Sequence, residues 1–123
     1  MIVGIGIDAV KVYRLKKWAD DPALLERFFD ARELTAVRER GKGMVNSLAA
    51  RFAAKEAFCK ALGTGMAGIA LKDIMVLNHQ NERPRLHLEG SALKALKAAG
   101  AAQTHLSLSH DGDIALASVI LEV

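Results

Sequence analysis

Residues 44–62, MVNSLAARFAAKEAFCKAL, decide the fold of this 123-residue chain. The segment is rich in Ala and Leu, contains neither Gly nor Pro, and precedes Gly63, a residue type that readily ends a helix in the left-handed region. On a helical wheel its apolar residues point in almost every direction, which is typical of a helix buried on most sides. We therefore predict a long central helix against which the rest of the chain packs.

The N-terminal segment, residues 2–8, alternates in the manner of a β-strand. Branched apolar side chains occupy one face, and the other face carries two glycines and an acid: Gly4, Gly6 and Asp8. Because glycines hold no neighbour away, we expect another element to bring its backbone close to this face. Asp8 is expected to stand at the edge of that contact.

The remaining segments predict an α+β fold, mainly antiparallel sheet packed against the central helix. Residues 12–40 are charged and amphipathic, with breaks near Pro22 and Asp30; Asp30 and Glu33 have the spacing of a capping box. The other predicted elements are strands at 69–78 and 84–88, a helix at 91–99, and a hairpin of 104–110 and 113–121 across Asp111-Gly112. No linker or repeat interrupts the chain, so we predict one domain over residues 1–123.

Composition limits the class of protein. Half of the residues (51%) are hydrophobic and 25% are charged, which excludes disordered and collagen-like chains, and a single cysteine, Cys59, cannot form an internal disulfide. No apolar run approaches the roughly 18 residues of a membrane span. The opening MIVGIGID is typical of a strand rather than of a secretory leader. We therefore expect a cytoplasmic protein without a membrane partner.

Positive charge is concentrated in one part of the chain. Residues 11–60 contain twelve Lys and Arg against seven Asp and Glu, whereas residues 61–123 contain five against six. Such a distribution favours an acidic partner or a phosphate-bearing ligand. RNA recognition usually requires exposed aromatic side chains, and the chain has only six aromatic residues and no ribonucleoprotein motif. We therefore expect no nucleic-acid partner.

Two carboxylates lie in apolar surroundings, Asp8 in the first strand and Glu56 in the central helix. One interpretation is structural: Asp8 caps the following helix, and Glu56 pairs with Lys60 one turn later. The other is a site in which both acids hold Mg²⁺ against a phosphate. Lys60 and the loop containing Gly63 and Gly65 are suited to bind that phosphate.

Common catalytic motifs are missing. The chain has no Walker A loop, no Gly-x-Gly-x-x-Gly fingerprint after the first strand and no Gly-x-Ser-x-Gly elbow. Its histidines, at positions 79, 87, 105 and 110, lack zinc-site spacing, and Cys59 is interpreted as a core thiol.

Three segments, taken together, resemble one known family. They are GIGIDAVKVYRL (4–15), RFAAKEAFCKALGTG (51–65) and HLSLSHDGDIALA (105–117). In this order and at these distances they resemble the holo-acyl-carrier-protein synthases, the short family of 4′-phosphopantetheinyl transferases. The resemblance covers nearly the whole chain and implies the 4′-phosphopantetheinyl transferase fold.

The implied reaction transfers the 4′-phosphopantetheine arm of coenzyme A to a serine of apo acyl carrier protein, in support of fatty acid biosynthesis. Adenosine 3′,5′-bisphosphate is released. By this resemblance Asp8 and Glu56 are the Mg²⁺ ligands, and Lys60 stabilises the phosphoryl charge. Glu56, directly or through a metal-bound water, is the first choice of general base, and His105 is the second.

The resemblance also implies binding residues and an assembly. The family forms homotrimers with coenzyme A in clefts between subunits. The implied contacts of coenzyme A are Arg51, Lys60, Gly63, Gly65, Asn81, Arg83, Pro84, Ser109 and His110. Arg14, Lys17 and Arg27 are expected to dock the acidic carrier.

Two other functions remain compatible with the residues alone. A basic trimeric binding module could hold an acidic protein or RNA on the same face without catalysis. A metal-dependent phosphohydrolase could act on nucleotides with the same two acids.

Overall fold

A computed structural model describes residues 1–78 and 83–123 of the chain. The elements run in the order β1 (Ile2–Lys11), α1 (Lys16–Ala19), α2 (Pro22–Phe28), α3 (Ala31–Arg38), α4 (Met44–Leu62), β2 (Ile74–Leu77), β3 (Arg85–Leu88), α5 (Gly90–Ala98), β4 (Gln103–Asp111) and β5 (Ile114–Glu122). Short 3₁₀ helices precede α1, α4 and β2, at Val12–Leu15, Gly41–Gly43 and Leu71–Asp73. Both sheets are antiparallel: β1-β5-β4 and β2-β3. The predicted α+β class is confirmed.

The helix α4 is the centre of the molecule, as the sequence predicts. Its bounds are those expected, thirteen of its nineteen residues are buried, and Gly63 follows it with a φ of 78° in the left-handed region. It packs against β1 and β5 of the larger sheet. Even two of its charged residues, Arg51 and Lys55, are buried.

The glycine face of β1 lies directly on α4. A Cβ atom at Gly4 would stand 2.0 Å from the Ala61 carbonyl oxygen, and one at Gly6 would stand 1.9 Å from that of Ala57. Since real Cβ contacts are never so short, only glycine permits this approach of strand and helix. The expected close contact is confirmed.

The opposite face of the larger sheet is open within the chain. Ile5 and Ile7 of β1 are 63% and 64% exposed. The register places Ile5 beside Ile120 and His105, and Ile7 beside Ser118 and Ser107. We call this surface the outer sheet face; α4 covers the inner one.

The N-terminal helices begin where the sequence predicts. The side chain of Asp21 accepts a hydrogen bond from the Leu24 amide at 3.2 Å, with Pro22 in the first turn of α2. Asp30 and Glu33 form the predicted capping box at the start of α3. These caps fix the points at which α2 and α3 begin.

A buried ion pair joins α3, α4 and β2. The Lys55 ammonium group lies 2.6 Å from Glu33 Oε1 and also donates to the carbonyl oxygens of Leu71 and Ile74, while Glu33 Oε2 accepts the Val76 amide at 3.0 Å. Burial lowers the pKa of Lys55, and the Glu33 charge opposes that shift. All polar atoms of this pair therefore have partners.

Two predicted boundaries are wrong. The strand predicted at 69–78 begins only at Ile74, because Asp73 instead accepts hydrogen bonds from Ser91 of α5, through the amide at 2.9 Å and the hydroxyl at 2.7 Å. The last hairpin turns at Gly112-Asp113, so that Asp111 pairs with Ile114. Gly112, with φ of 60°, thus takes the first central position of the turn rather than the second.

None of the helices in the described residues is long and apolar enough to cross a membrane. The prediction of one domain over residues 1–123 stays a prediction.

Candidate functional site

Asp8 lies at the end of the glycine face of β1 and is 9% exposed. Its Oδ1 atom accepts a hydrogen bond from the Lys60 ammonium group at 2.8 Å, and that ammonium group also donates to the Ile7 carbonyl oxygen at 3.2 Å. Its Oδ2 atom is buried and has no hydrogen-bond partner among the residues that the structure describes. The carboxylate is thus only half satisfied by the protein.

Glu56 is half-buried on α4 and interacts electrostatically with Asp8. Burial is the main cause that raises the pKa of the Glu56 carboxyl, and the negative charge of Asp8 raises it further. The charges of Arg14 and Lys60 partly offset these effects. The structure therefore brings together the two acids that the sequence analysis paired, with two cations beside them.

The structural interpretation of these acids is wrong in both of its parts. The Val12–Leu15 helix has no side-chain cap among the described residues, so Asp8 does not cap it. Lys60 forms its ion pair with Asp8 rather than with Glu56, and this pairing raises the pKa of Lys60. The preference arises because β1 crosses α4 beside the last turn of the helix.

Asp8 and Glu56 fit a divalent cation of the oxygen-binding kind. The buried Oδ2 of Asp8 needs a positive partner, and Glu56 is an acid whose charge is disfavoured by its surroundings. In the described residues no three His, Cys, Asp or Glu side chains group as metal ligands. Two carboxylates suit Mg²⁺, which usually keeps waters and binds substrate phosphates rather than filling an all-protein cage.

A cavity of about 370 Å³ lies beside α4 and contains several of the predicted contacts of coenzyme A. Arg51 is only 4% exposed; it donates to the Ser47 hydroxyl, and its Nε has no partner among the described residues. Burial lowers the pKa of this guanidinium group. Pro84 and His110 line the same cavity, and His110 Nε2 lies 3.4 Å from the Asn46 carbonyl oxygen.

Some residues of this cavity were missed by the sequence analysis: Arg40, Asn46, Ser47 and Asn78. One signal was present, because Ser47 precedes Arg51 by four residues in the predicted helix and therefore shares its face. Arg40 and Asn78 come from other parts of the chain, and no local pattern connects them to α4.

A second cavity, of about 530 Å³, lies between β3 and β4 and is lined by Arg83, Pro84 and His105 among others. Pro84, just before β3, lines both cavities, so the two adjoin at this residue. Asn81, also predicted to contact coenzyme A, lies outside the described residues.

His105 and Ser109 are not brought to Asp8 within one chain. Both belong to the outer sheet face, whereas Asp8 points toward α4 on the inner face. His105 Nε2 lies 2.9 Å from Glu122 Oε1, and both side chains are exposed. The loop glycines Gly63 and Gly65, by contrast, lie close to the acid site, because they come three and five residues after Lys60 in the chain. Their φ angles are 78° and 72°.

The three predicted docking residues, Arg14, Lys17 and Arg27, are all exposed on the N-terminal helices. The Arg14 charge lowers the pKa of Glu56, so Arg14 faces the acid site. Arg27 lies 5.4 Å from the centre of the Phe28 ring, and Trp18 stacks on that ring at 5.2 Å. Trp18 also contacts Phe52 of α4 edge to face, which fixes these helices beside the site.

Cys59 is buried, as expected of a core thiol. Burial, together with the Glu56 charge, raises its pKa to about 11. The thiol is therefore protonated at neutral pH and is a poor nucleophile.

Comparison with known proteins gives a consistent result. Residues 4–117 match the family model described as the 4′-phosphopantetheinyl transferase superfamily. The chain is 58% identical to the holo-[acyl-carrier-protein] synthase of Treponema denticola, over 99% of each chain. It is 52% identical to the protein of that name from Trichlorobacter lovleyi, over 99% of this chain and 98% of the other.

Solved structures give the same answer. The holo-[acyl-carrier-protein] synthase from Neisseria meningitidis superposes with a TM-score of 0.88, at 35% identity over 100% of both chains. That from Bacillus anthracis, in complex with CoA (3′,5′-ADP), has a TM-score of 0.81, at 35% identity over 99% of this chain and 97% of the other.

Proposed function

This chain belongs to the 4′-phosphopantetheinyl transferase superfamily, and we propose from that membership that it converts apo acyl carrier protein to the holo form. The enzyme transfers the 4′-phosphopantetheine group of coenzyme A to a serine of the carrier. The observation that carries this conclusion is similarity over the full length to proteins named for the activity. Support of fatty acid biosynthesis, by supplying holo carrier, is part of the proposal; the cytoplasmic location stays a prediction.

The nucleophile belongs to the carrier, so the enzyme needs none of its own. The serine oxygen forms a bond to the β-phosphorus of coenzyme A, and the bond from that phosphorus to the bridging pyrophosphate oxygen breaks. The electron pair leaves with adenosine 3′,5′-bisphosphate. The protonated state of Cys59 agrees with this chemistry, because no activated enzyme thiol takes part.

Glu56 takes the serine proton in this proposal. Burial and the Asp8 charge raise the Glu56 pKa in the metal-free protein, which favours proton acceptance; with Mg²⁺ held by the same carboxylate, the proton would pass to Glu56 through an intervening water. His105 is the alternative base. Because it lies on the outer sheet face, it can act only at the site of a neighbouring copy.

Asp8 and Glu56 would hold Mg²⁺, which supplies positive charge to the pyrophosphate when bound. Lys60 adds an ammonium group at the same place, where negative charge develops on the phosphoryl oxygens. The buried Oδ2 of Asp8 supports the metal assignment, because an unpartnered buried carboxylate oxygen is costly without a cation.

The coenzyme is proposed to lie along the cavity beside α4 and the adjoining one between β3 and β4. Arg51 and His110 are suited to a phosphate and the adenosine, and the loop of Gly63 and Gly65 offers backbone amides next to Lys60. The remaining proposed contacts are Asn81, Arg83, Pro84 and Ser109.

A homotrimer, with the active sites between subunits, is proposed as the working form. The outer sheet face presents exposed isoleucines from β1, and such apolar faces usually mark an interface. His105 and Ser109 on that face then reach the site of the adjacent subunit.

One assay separates this proposal from its alternatives. Apo carrier, coenzyme A and Mg²⁺ are incubated with the protein, and the carrier is weighed by mass spectrometry. Addition of the phosphopantetheine arm supports the transferase. Released bisphosphate with unmodified carrier supports a phosphohydrolase instead, and neither product supports a binding module.

Docking is tested through charge. We expect Arg14→Glu, Lys17→Glu and Arg27→Glu each to raise the KM for carrier roughly tenfold at low salt, with the difference shrinking as ionic strength rises. The KM for coenzyme A should change little in the Lys17→Glu and Arg27→Glu variants. Lys94→Glu on α5 is the matched control. An equal effect of the control would exclude a specific docking surface.

A further inference from the structure

The Lys60 ammonium group is bound to the same carboxylate that is proposed to hold the metal. Its nitrogen lies 2.8 Å from Asp8 Oδ1 and 3.2 Å from the Ile7 carbonyl oxygen. The Lys60 side chain is 55% exposed, whereas that of Asp8 is 9% exposed. The ion pair thus joins an exposed ammonium group on a long flexible stem to a buried carboxylate.

The acids beside Lys60 can attract more positive charge than Lys60 supplies. Asp8 Oδ2 has no partner in the described residues, and the neighbouring Glu56 carries a second negative charge. One ammonium group touches only one of these four carboxylate oxygens. A doubly charged ion with several coordination positions matches the pair of acids better.

We propose that Lys60 and a divalent cation compete for the carboxylate of Asp8, so that binding of the cation releases Lys60. This inference rests on the proposed metal site. An ion at about 2.1 Å from Asp8 Oδ1 would stand within about 5 Å of the ammonium nitrogen, and one at the same distance from Oδ2 within about 7 Å, so the two like charges repel in either position. Release costs little, because the lysine stem is flexible and half exposed.

The competition gives Lys60 two successive partners. Bound to Asp8, its ammonium group is directed to the carboxylate and to the backbone of β1. Once released, it is free for a phosphate group at the end of α4. The divalent cation therefore has to bind before the Lys60 ammonium group is free to contact coenzyme A.

The test measures metal binding without coenzyme A. Mn²⁺ is titrated into the protein at about pH 8, where carboxylates are ionised, and the free ion is followed by its EPR signal. We expect Lys60→Gln to bind Mn²⁺ about tenfold more tightly than the original protein, since the competitor is gone. Circular dichroism verifies that the variant is folded.

Arg14→Gln is the matched control, because it also removes one positive charge that acts on Glu56, while in the described residues the ion pair of Asp8 is with Lys60 and not with Arg14. It should tighten binding by less than about threefold. Equal gains in Mn²⁺ affinity from both variants would mean that binding depends only on the total positive charge near the site. The competition would then be overturned. If the original protein and both variants fail to bind Mn²⁺, the metal site and the competition are both wrong, although transfer activity could still be measured separately.

A second readout follows the ammonium group itself. In lysine-labelled protein, the ion-paired Lys60 group should give a ¹H–¹⁵N signal that is absent from Lys60→Gln. Saturation with Mg²⁺ should shift or remove that signal and leave other lysines unchanged. A signal unaffected by saturating Mg²⁺ contradicts the release of Lys60.

Discussion

Asp8 reaches α4 because the two preceding residues on its face of β1 are glycines. Gly4 and Gly6 allow the strand to touch the helix backbone, and the first side chain beyond them is a carboxylate. The low exposure of Asp8 and its contact with Lys60 follow from that approach. The chemistry of the site therefore depends on the absence of two side chains as much as on the presence of one.

We expect Asp8→Asn and Glu56→Gln each to lower the transfer rate at least about a thousandfold, because each removes a charged oxygen from the proposed metal site. The fold should persist, since Glu56 is half-buried and both replacements conserve shape. Carrier mass measures the transfer, and thermal unfolding measures the fold. Full activity in either folded variant would remove that acid from the mechanism.

The sequence predicted which acids meet but not how they are paired. Spacing within a helix favoured Glu56 with Lys60, one turn apart. The structure pairs Lys60 with Asp8, which is 52 positions away in the chain. Helix spacing tells only which side chains share a face, whereas the choice of partner depends on where another element crosses that face.

At the scale of elements, the contact of β1 with α4 orients the site. The glycine face was predictable because period-two alternation places Gly4, Gly6 and Asp8 together. The strand bounds at 69–73 were not predictable in the same way. Those residues are apolar enough for a strand, but Asp73 is bonded to Ser91 of α5, a partner that no local pattern identifies.

Gly6→Ala should destabilise the protein by about 3 kcal/mol, because the new Cβ would meet the Ala57 carbonyl oxygen at 1.9 Å and force strand and helix apart. Gly43→Ala is the control: its φ is −84° and its nearest neighbour would lie at 3.7 Å, so we expect less than about 1 kcal/mol. Urea unfolding gives both values. Similar stabilities of the two variants would show that β1 does not need the close approach.

The ion pair of Lys55 and Glu33 was hidden from the sequence analysis. Glu33 was assigned only to a capping box, and no partner was predicted for Lys55. The structure gives Glu33 three contacts: Oε1 accepts the Asp30 amide of the cap and pairs with Lys55, and Oε2 accepts the Val76 amide. One side chain thus links the start of α3 to the second sheet.

We expect Lys55→Met to destabilise the protein by about 3–5 kcal/mol, since Glu33 would remain as a buried charge without its cation. The carbonyl oxygens of Leu71 and Ile74 would also lose a donor. Denaturant titration measures the loss. Lys72→Met, at a position outside this ion pair, controls for the substitution itself, and a loss below about 1 kcal/mol for Lys55→Met would contradict the assigned role.

At the scale of the molecule, the chain has two unlike surfaces. The inner sheet face is closed by α4 and carries Asp8, whereas the outer sheet face exposes Ile5 and Ile7. His105 was predicted to belong to the same site as Asp8, and the strand register places it on the other face. The strand β4 was predicted, but sequence alone could not relate its faces to those of β1.

We expect a second copy to bring His105 and Ser109 to the acid site, in an assembly held together through the outer sheet face. Ile7→Lys should convert a trimer to monomers, because a charge would replace a 64% exposed isoleucine that the chain itself does not bury. The fold of the single chain should survive for the same reason. Light scattering coupled to gel filtration measures the mass of the assembly, and circular dichroism measures the fold.

Transfer activity should fall with the assembly, by about a hundredfold or more, if His105 and Ser109 serve the adjacent subunit. Leu93→Lys on α5 is the matched control, since it also replaces an exposed apolar residue but one that does not belong to the larger sheet. A monomer of Ile7→Lys that keeps full activity would show that one chain forms a complete site. A trimer that survives Ile7→Lys would instead place the subunit interface on another surface.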